Sequence, residues 1–238
     1  MRRTALTLTF LLAIAGSAGS AHAVPVELMS NGGFESGLTG WTVFDQVGGS
    51  GSFFANAGLA TPLSAFPTVG PASGTMYAVS DQGGPGAHAL YQGFSVAPGS
   101  TATLSFRMFV NDQNGAGAIV NAAGLDYTAS PNQHGRVDIL NSVANPLDTG
   151  AAVLGNFYLG VDPGPNPHAY TFYSFDISTL VGGGGTFYLR FAEVDNQLFF
   201  NEGIDDVSIL AEQIPEPGTL LLLGSGLTGL VLRRRRTS

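Results

Sequence analysis

From residue 24 to residue 212 apolar and polar positions alternate with a period of two, most plainly in Thr103-Leu104-Ser105-Phe106-Arg107-Met108, in Tyr170 to Ile177 and in Phe187 to Val194. That period sends successive side chains to opposite faces of a strand, and the β-branched and aromatic residues in these runs suit a pleated surface. The pattern predicts strands at 25–29, 41–47, 51–56, 75–80, 88–96, 101–110, 118–128, 135–141, 152–160, 169–177, 185–195 and 204–211. No amphipathic helix stands out. Runs rich in Gly, Pro, Asn and Asp separate the strands, as in Asp81 to Ala87, Asp112 to Gly117 and Asp162 to Pro167. Many short strands joined in this way predict an all-β fold, an antiparallel β-sandwich of the jelly-roll kind with its core between two sheets.

Both ends break the alternation. Arg2 and Arg3, apolar Ala5 to Ala15 and the small-x-small site Ala21-His22-Ala23 have the layout of a cleaved secretory signal peptide over 1–23. The mature chain is then expected to begin at Val24. At the other end Ile214-Pro215-Glu216-Pro217 precede an almost wholly apolar run to Leu232, followed by Arg233 to Arg236. A helix from Pro217 to Leu232 rises roughly 24 Å, so it spans a hydrocarbon core of ~30 Å only if the arginines snorkel. Pro215 and Pro217 suit its first turn, where no backbone donor is needed. The arginine cluster stays in the cytoplasm, which places everything before Pro215 outside. The expected organisation is a signal peptide (1–23), one sandwich domain (24–212) and a tail with a single transmembrane helix (213–238).

Pro215-Glu216-Pro217, the short apolar run and Arg233, Arg234, Arg235 and Arg236, in that order, resemble the PEP-CTERM sorting signal of Gram-negative bacteria that make extracellular polysaccharide. The resemblance covers about a tenth of the chain. It implies that an exosortase-type membrane protease reads the tail, cuts near the Pro-Glu-Pro and releases or transfers the body. An inner-membrane-anchored precursor would then end at the cell surface or in the extracellular matrix. An ordinary single-pass anchor predicts the same topology. Some ice-binding proteins carry the same tail, but no repeated threonine array is present here.

Charge narrows the partners. Between the two ends Arg107, Arg136 and Arg190 face sixteen acids from Glu27 to Glu212, a formal balance of −13, and the chain has no lysine. Nucleic acid is excluded as a partner, because neutralising phosphates requires positive charge. A divalent cation suits such a field better. Cysteine is absent, so no disulfide contributes stability.

The most distinctive piece of the body is Asn31-Gly32-Gly33-Phe34-Glu35 followed by Gly37-Leu38-Thr39-Gly40-Trp41. It resembles the opening of galactose-binding-like jelly rolls, a group that includes carbohydrate-binding modules. Tyr91 to Gly99 with Thr103 to Phe106, and Gly203-Ile204-Asp205-Asp206-Val207-Ser208-Ile209, resemble later pieces of that family, while 112–168 has no clear counterpart. The resemblance implies that the opening and closing segments lie together and share a structural Ca²⁺. Glu35 and Asp206 would be its main ligands, with Asn31 or Gly33 lending a carbonyl and Asp205 in reserve. The competing reading has Glu35 capping a turn and Asp205 exposed on an edge. Trp41 and Tyr91 are the candidate sugar platforms, although the position of Trp41 at the start of a strand suits the core better. Phe199 and Phe200 are adjacent, so one of them must face outwards.

Catalytic patterns are missing. His88, His134 and His168 are isolated, no His-Glu-x-x-His or nucleophile elbow occurs, and Gly182 to Gly185 carries no lysine for a phosphate loop. A pair of carboxylates among sixteen acids leaves room for a polysaccharide hydrolase. The reading is an exported, non-enzymatic surface or exopolysaccharide-matrix protein, with a carbohydrate-binding module as the alternative.

Overall fold

The alternation resolves into two antiparallel sheets in a computed structural model that describes residues 24–113 and 117–213. The strands are β1 (Val26–Glu27), β2 (Thr42–Asp45), β3 (Ser52–Asn56), β4 (Tyr77–Asp81), β5 (Gly86–Val96), β6 (Ser100–Asp112), β7 (Gln133–Leu140), β8 (Val153–Gly160), β9 (Thr171–Asp176), β10 (Gly185–Asp195) and β11 (Phe200–Gln213), with one helical turn, α1 (Ser178–Val181). One sheet has the order β3-β4-β11-β6-β9, with β1 also paired to β11; the other has the order β2-β5-β10-β7-β8. The all-β sandwich expected from the alternation is therefore the fold. Long strands β11 and β10 sit inside their sheets and bear most of the register.

The core lies between the sheets. Leu90 and Phe94 of β5, Leu104, Phe106 and Met108 of β6, Val137 and Ile139 of β7, Leu189 and Phe191 of β10 and Ile204 of β11 pack as one buried cluster. Edge-to-face packing of Phe106 on Phe191, with ring centroids 5.3 Å apart, joins one sheet to the other.

The predicted strand at 118–128 does not form. Only an isolated bridge, Ile119 to Gln133, ties that stretch to a sheet. Asn121 and Asp126 divert the backbone, their side-chain oxygens accepting from the N–H groups of Ala123 (2.9 Å) and Thr128 (3.0 Å), as short polar side chains do in turns. The segment instead covers the outer face of the second sheet, where Leu125 and Tyr127 pack on Ala87, Ala89, Ala192 and Val194. The predicted strand ending at 177 stops at Asp176, and a helical turn follows it where none was expected.

The same outer face carries a buried ionic cluster. Arg190 is 0% exposed; its guanidinium lies 2.5 Å from Asp138 Oδ2 and donates to the carbonyls of Pro146 and Asp148, both at 2.7 Å. Arg136 forms a two-pronged contact with the same carboxylate, at 2.7 and 2.8 Å. Burial acts to raise the pKa of Asp138, and the two guanidiniums overcome it, so the group stays below its ordinary range. Replacing Asp138 by Asn leaves two buried cations with no counter-charge, and the expected cost is about 3–5 kcal/mol. Chemical denaturation of the full chain checks this; a loss within about 0.5 kcal/mol of zero would show that the cluster is not structural.

Candidate functional site

The opening segment and the closing strand do lie together. Val26 and Glu27 pair with Ala211 and Leu210, and the Leu28 N–H reaches the Ile209 carbonyl at 2.9 Å. Beside this seam the Val207 N–H donates to the Gly32 carbonyl at 3.0 Å. A Cβ on Gly32 would fall 1.9 Å from the Val207 carbonyl oxygen, so only glycine permits the approach.

The carboxylates singled out from the sequence converge here on one loop. Glu35 Oε1 accepts from the N–H groups of Thr75 (2.8 Å) and Met76 (3.0 Å), and Glu35 Oε2 accepts from the Thr75 hydroxyl (2.6 Å). These hydrogen bonds, that of the Thr75 hydroxyl first, hold the Glu35 pKa below its ordinary value. Asp205 Oδ2 accepts from Ala72 N (2.8 Å) and Ser73 N (3.0 Å), while Asp206 Oδ1 accepts from the Ser73 hydroxyl (2.5 Å). Adjacent strand residues ordinarily point to opposite faces. A bulge in the pairing with β6 between Asp205 and Ser208, with Asp206 at φ 51°, lets both carboxylates reach Ser73. Asp206 Oδ2 also meets Arg107 Nε at 3.1 Å, and Asp206 N donates to Asp205 Oδ1 at 2.7 Å.

These contacts decide the fit to calcium. Every oxygen of Glu35, Asp205 and Asp206 already has a protein donor, and Asn31 spends its side chain on the turn, donating to the Gly37 and Thr39 carbonyls and accepting from Ser36 N. Among the described residues no group of three or more His, Asp or Glu side chains is arranged to hold a metal ion. The donor set thus fits a hydrogen-bonded clip across residues 72–76 and not a Ca²⁺ cage, and Asp205 is buried, not exposed on an edge.

The two aromatic candidates part company. Trp41 is a core residue, 8% exposed, with its ring 5.3 Å from Phe34 and 6.1 Å from Phe191, and its indole N–H donates to the Asn31 carbonyl. It offers no free face to a sugar ring. Tyr91 pairs in register with Arg190, hence on the outer face, and stands edge-on to Tyr188 at 6.4 Å. The sorting residues Pro215, Glu216, Pro217 and Arg233 to Arg236, like the expected signal peptide, lie outside the described residues.

A second constellation, not anticipated from the sequence, occupies the pocket end of the interlayer. Along β10 the inward residues run Leu189, Phe191, Glu193, Asp195, so the core turns acidic at its end. Glu193 is paired in register with His88 of β5 and Gly135 of β7. Glu202 of β11 reaches over from the other sheet: a Cβ on Gly135 would lie 2.9 Å from Glu202 Oε2. Both glutamates are 0% exposed and none of their four carboxyl oxygens has a well-formed hydrogen bond, although the Ser80 and Gln82 side chains lie near Glu193 and partly offset its burial. Burial pushes both pKa values well above the ordinary range, and for Glu193 the Asp195 and Glu202 carboxyls add to it. The His88 ring stands 3.9 Å from Glu193, but its nitrogens face Asp45 Oδ1 (2.7 Å) and the Ser50 carbonyl (2.9 Å).

At the end of β10 opens a cavity of about 400 Å³ lined by Gln82, Pro85, Asp195, Asn196, Gln197 and Phe199, among others. Asp195 accepts from Gln82 Nε2 at 2.7 Å and from Gln197 N at 3.1 Å. Burial pushes its pKa up to about 6 against these hydrogen bonds. Phe199 is the outward member of the Phe199–Phe200 pair and stacks on Phe66, centroids 4.1 Å apart, while Phe200 enters the core. The signal in the sequence was the run Glu193-Val194-Asp195-Asn196-Gln197, four polar residues where an otherwise regular strand ends.

Against known proteins, residues 213–236 match the family model described as PEP-CTERM protein-sorting motif. The chain therefore carries that sorting motif at its C-terminus. No curated protein matches the chain. Solved structures similar to it include TmCBM61 bound to β-1,4-galactotriose, at 13% identity and TM-score 0.45, covering 77% of this chain and 97% of that one. The K1 cleaved adhesin domain of Lys-gingipain from Porphyromonas gingivalis W83 shows 15% identity and TM-score 0.46 over 79% and 97%. The enzymatically active domain of tailspike protein 4 from bacteriophage CBA120 shows 14% identity and TM-score 0.43 over 77% of this chain, which spans only 21% of that one. Nothing about ligand or activity follows from likenesses at this level.

Two outcomes check the site geometry. Asp205→Ala strands the N–H groups of Ala72 and Ser73 and is expected to cost about 1–3 kcal/mol, while chelation leaves the melting temperature unchanged; a drop on chelation would restore the calcium reading. Glutamates that keep their protons in the fold but release them near 4.5 when unfolded make the folded state bind more protons above that pH. Stability is therefore expected to fall as pH rises from about 4.5 upward, and Glu193→Gln is expected to flatten that slope in denaturation curves taken across pH. An identical slope in wild type and variant would mean that Glu193 ionises as freely in the fold as outside it.

Proposed function

We propose that this chain is an exported, non-enzymatic protein delivered through its PEP-CTERM tail to the cell surface or the extracellular polysaccharide matrix of a Gram-negative bacterium, after processing by an exosortase-type membrane protease. The sorting motif at 213–236 is the observation that carries this reading. The fold supports it in one respect: β11 ends at Gln213, so a cut near Pro215 to Pro217 leaves the last strand and all its pairings whole.

A second reading, glycan binding by the body, is favoured by the cavity at Asp195. Its size falls within the ~300–1,000 Å³ typical of small-molecule sites. Its lining combines amide and carboxylate groups with an aromatic ring backed by a second ring. Trp41 plays no part in it.

Mass spectrometry of the protein recovered from cells and from the matrix tests the first reading. The expected termini are Val24 at the start and a residue between Gln213 and Pro217 at the end, with matrix recovery lost when Arg233 to Arg236 are replaced by Ala. Full-length chain with both ends unprocessed, free in the cell interior, would refute it.

A further inference from the structure

Among the described residues no arginine reaches the acidic end of the interlayer. Each arginine of the sandwich is committed elsewhere: Arg136 and Arg190 to Asp138, and Arg107 to Asp206. No basic side chain lines the cavity among the described residues. What faces it accepts hydrogen bonds. Asp195 is 4% exposed and holds its position through Gln82 Nε2 and Gln197 N. Gln82, 3% exposed, therefore has its amide oriented by that bond, and its Oε1 is left buried without a partner.

A buried acceptor with no donor costs about 1–3 kcal/mol, and Gln82 Oε1 beside the Asp195 carboxylate calls for an occupant that donates. A bare divalent ion is the poorer match, because no three carboxylates or imidazoles are arranged around a common point. An organic cation matches better, since its charge meets one carboxylate while its carbon skeleton meets the Phe199 ring and Pro85.

We infer that the cavity binds a ligand presenting a primary ammonium beside a ring face, an amino sugar with a free amine in an exported polysaccharide, with Asp195 and Gln82 Oε1 receiving the ammonium. This deepens the glycan-binding reading and rests on it. Asp195 is the specificity-determining residue: its charge selects amine over amide. Around it stand Gln82 at the end of β4, Asp112 at the end of β6, whose charge raises its pKa, and His88 and Glu193 on β5 and β10; of these His88 lowers it. Protonation of Asp195 on acidification removes the selecting charge, so binding weakens as pH falls through about 6.

Calorimetry on the full chain in detergent micelles tests the inference with four probes: a glucosamine oligomer, its fully N-acetylated counterpart, a free diamine and CaCl₂. The expected result is saturable binding of the glucosamine oligomer at pH 7.5, at least tenfold weaker for the acetylated form and for the diamine, weaker again at pH 5, and unaffected by calcium. Asp195→Asn, which retains the hydrogen bond from Gln82, is expected to lose at least tenfold affinity and the pH dependence, with an unchanged melting curve at pH 5. Gln82→Leu gives a second route to the same loss should Asp195→Asn fold poorly. Equal binding of both oligomers would overturn the ammonium assignment while leaving glycan binding intact. Diamine binding as tight as the sugar's would overturn the sugar, calcium competition would make the site a metal site, and no saturable binding of any oligomer would overturn both readings.

Discussion

A carboxylate shut between two β-sheets must keep its proton or find a cation, and much of this molecule follows from that constraint. Ionising Glu193 or Glu202 in place would set charge in a medium that screens it poorly, with no guanidinium within reach. The sandwich contains three arginines, and two of them are spent on the single Asp138 carboxylate across the other face of the same sheet. Acid and base are thus segregated by face: outward residues of β7 and β10 gather both arginines on one carboxylate, while Glu193 of β10 and Glu202 of β11 turn their carboxyls inward. Gly135 belongs to this arrangement, since its missing side chain makes the space into which Glu202 reaches.

At the other extreme the interlayer is a conventional apolar core, and there the fold obtains its stability. Phe106, Phe191, Leu104 and Ile139 bury their side chains completely, and burial of residues of this size contributes about 1.5–3 kcal/mol each. That surplus lets the far end of the same strands carry groups that cost stability, the usual relation between a scaffold and its site. The clip formed by Glu35, Asp205 and Asp206 adds a different kind of order. It pins residues 72–76, a loop with little apolar surface, by hydrogen bonds from main chain and hydroxyls.

The strands were legible because alternation survives in sequence wherever one face is packed more tightly than the other. Nearly every predicted strand exists, with edges moved by a few residues. The failure at 118–128 has a local cause, the capture of backbone N–H groups by Asn121 and Asp126, which an apolar composition conceals. The acidic pair was hidden for another reason. In β10 both faces are covered: Leu189 and Phe191 point inward, while Ala192 and Val194 are roofed by Leu125 and Tyr127. Alternation then cannot say which face is the interior, and Glu193 reads as a surface residue of an ordinary strand. The neighbourhood of Glu35 and Asp205 was legible from motif resemblance. Its chemistry was not, because whether a carboxylate faces an ion or a row of N–H groups depends on the course of residues 72–76.

The cavity lies just before the start of β11, at the opposite end of that strand from Gln213. The strand starts at Phe200, directly after the ring that walls the cavity, and ends at Gln213, where the sorting motif begins. Fourteen extended residues separate the two, roughly 40 Å at ~3.3 Å per residue. Between them β11 is tied to β6 over most of its length, so a disturbance at the tail has to break that ladder before it reaches Glu202. The ladder that holds Glu202 and begins beside the cavity wall is therefore complete within the described residues, by Gln213.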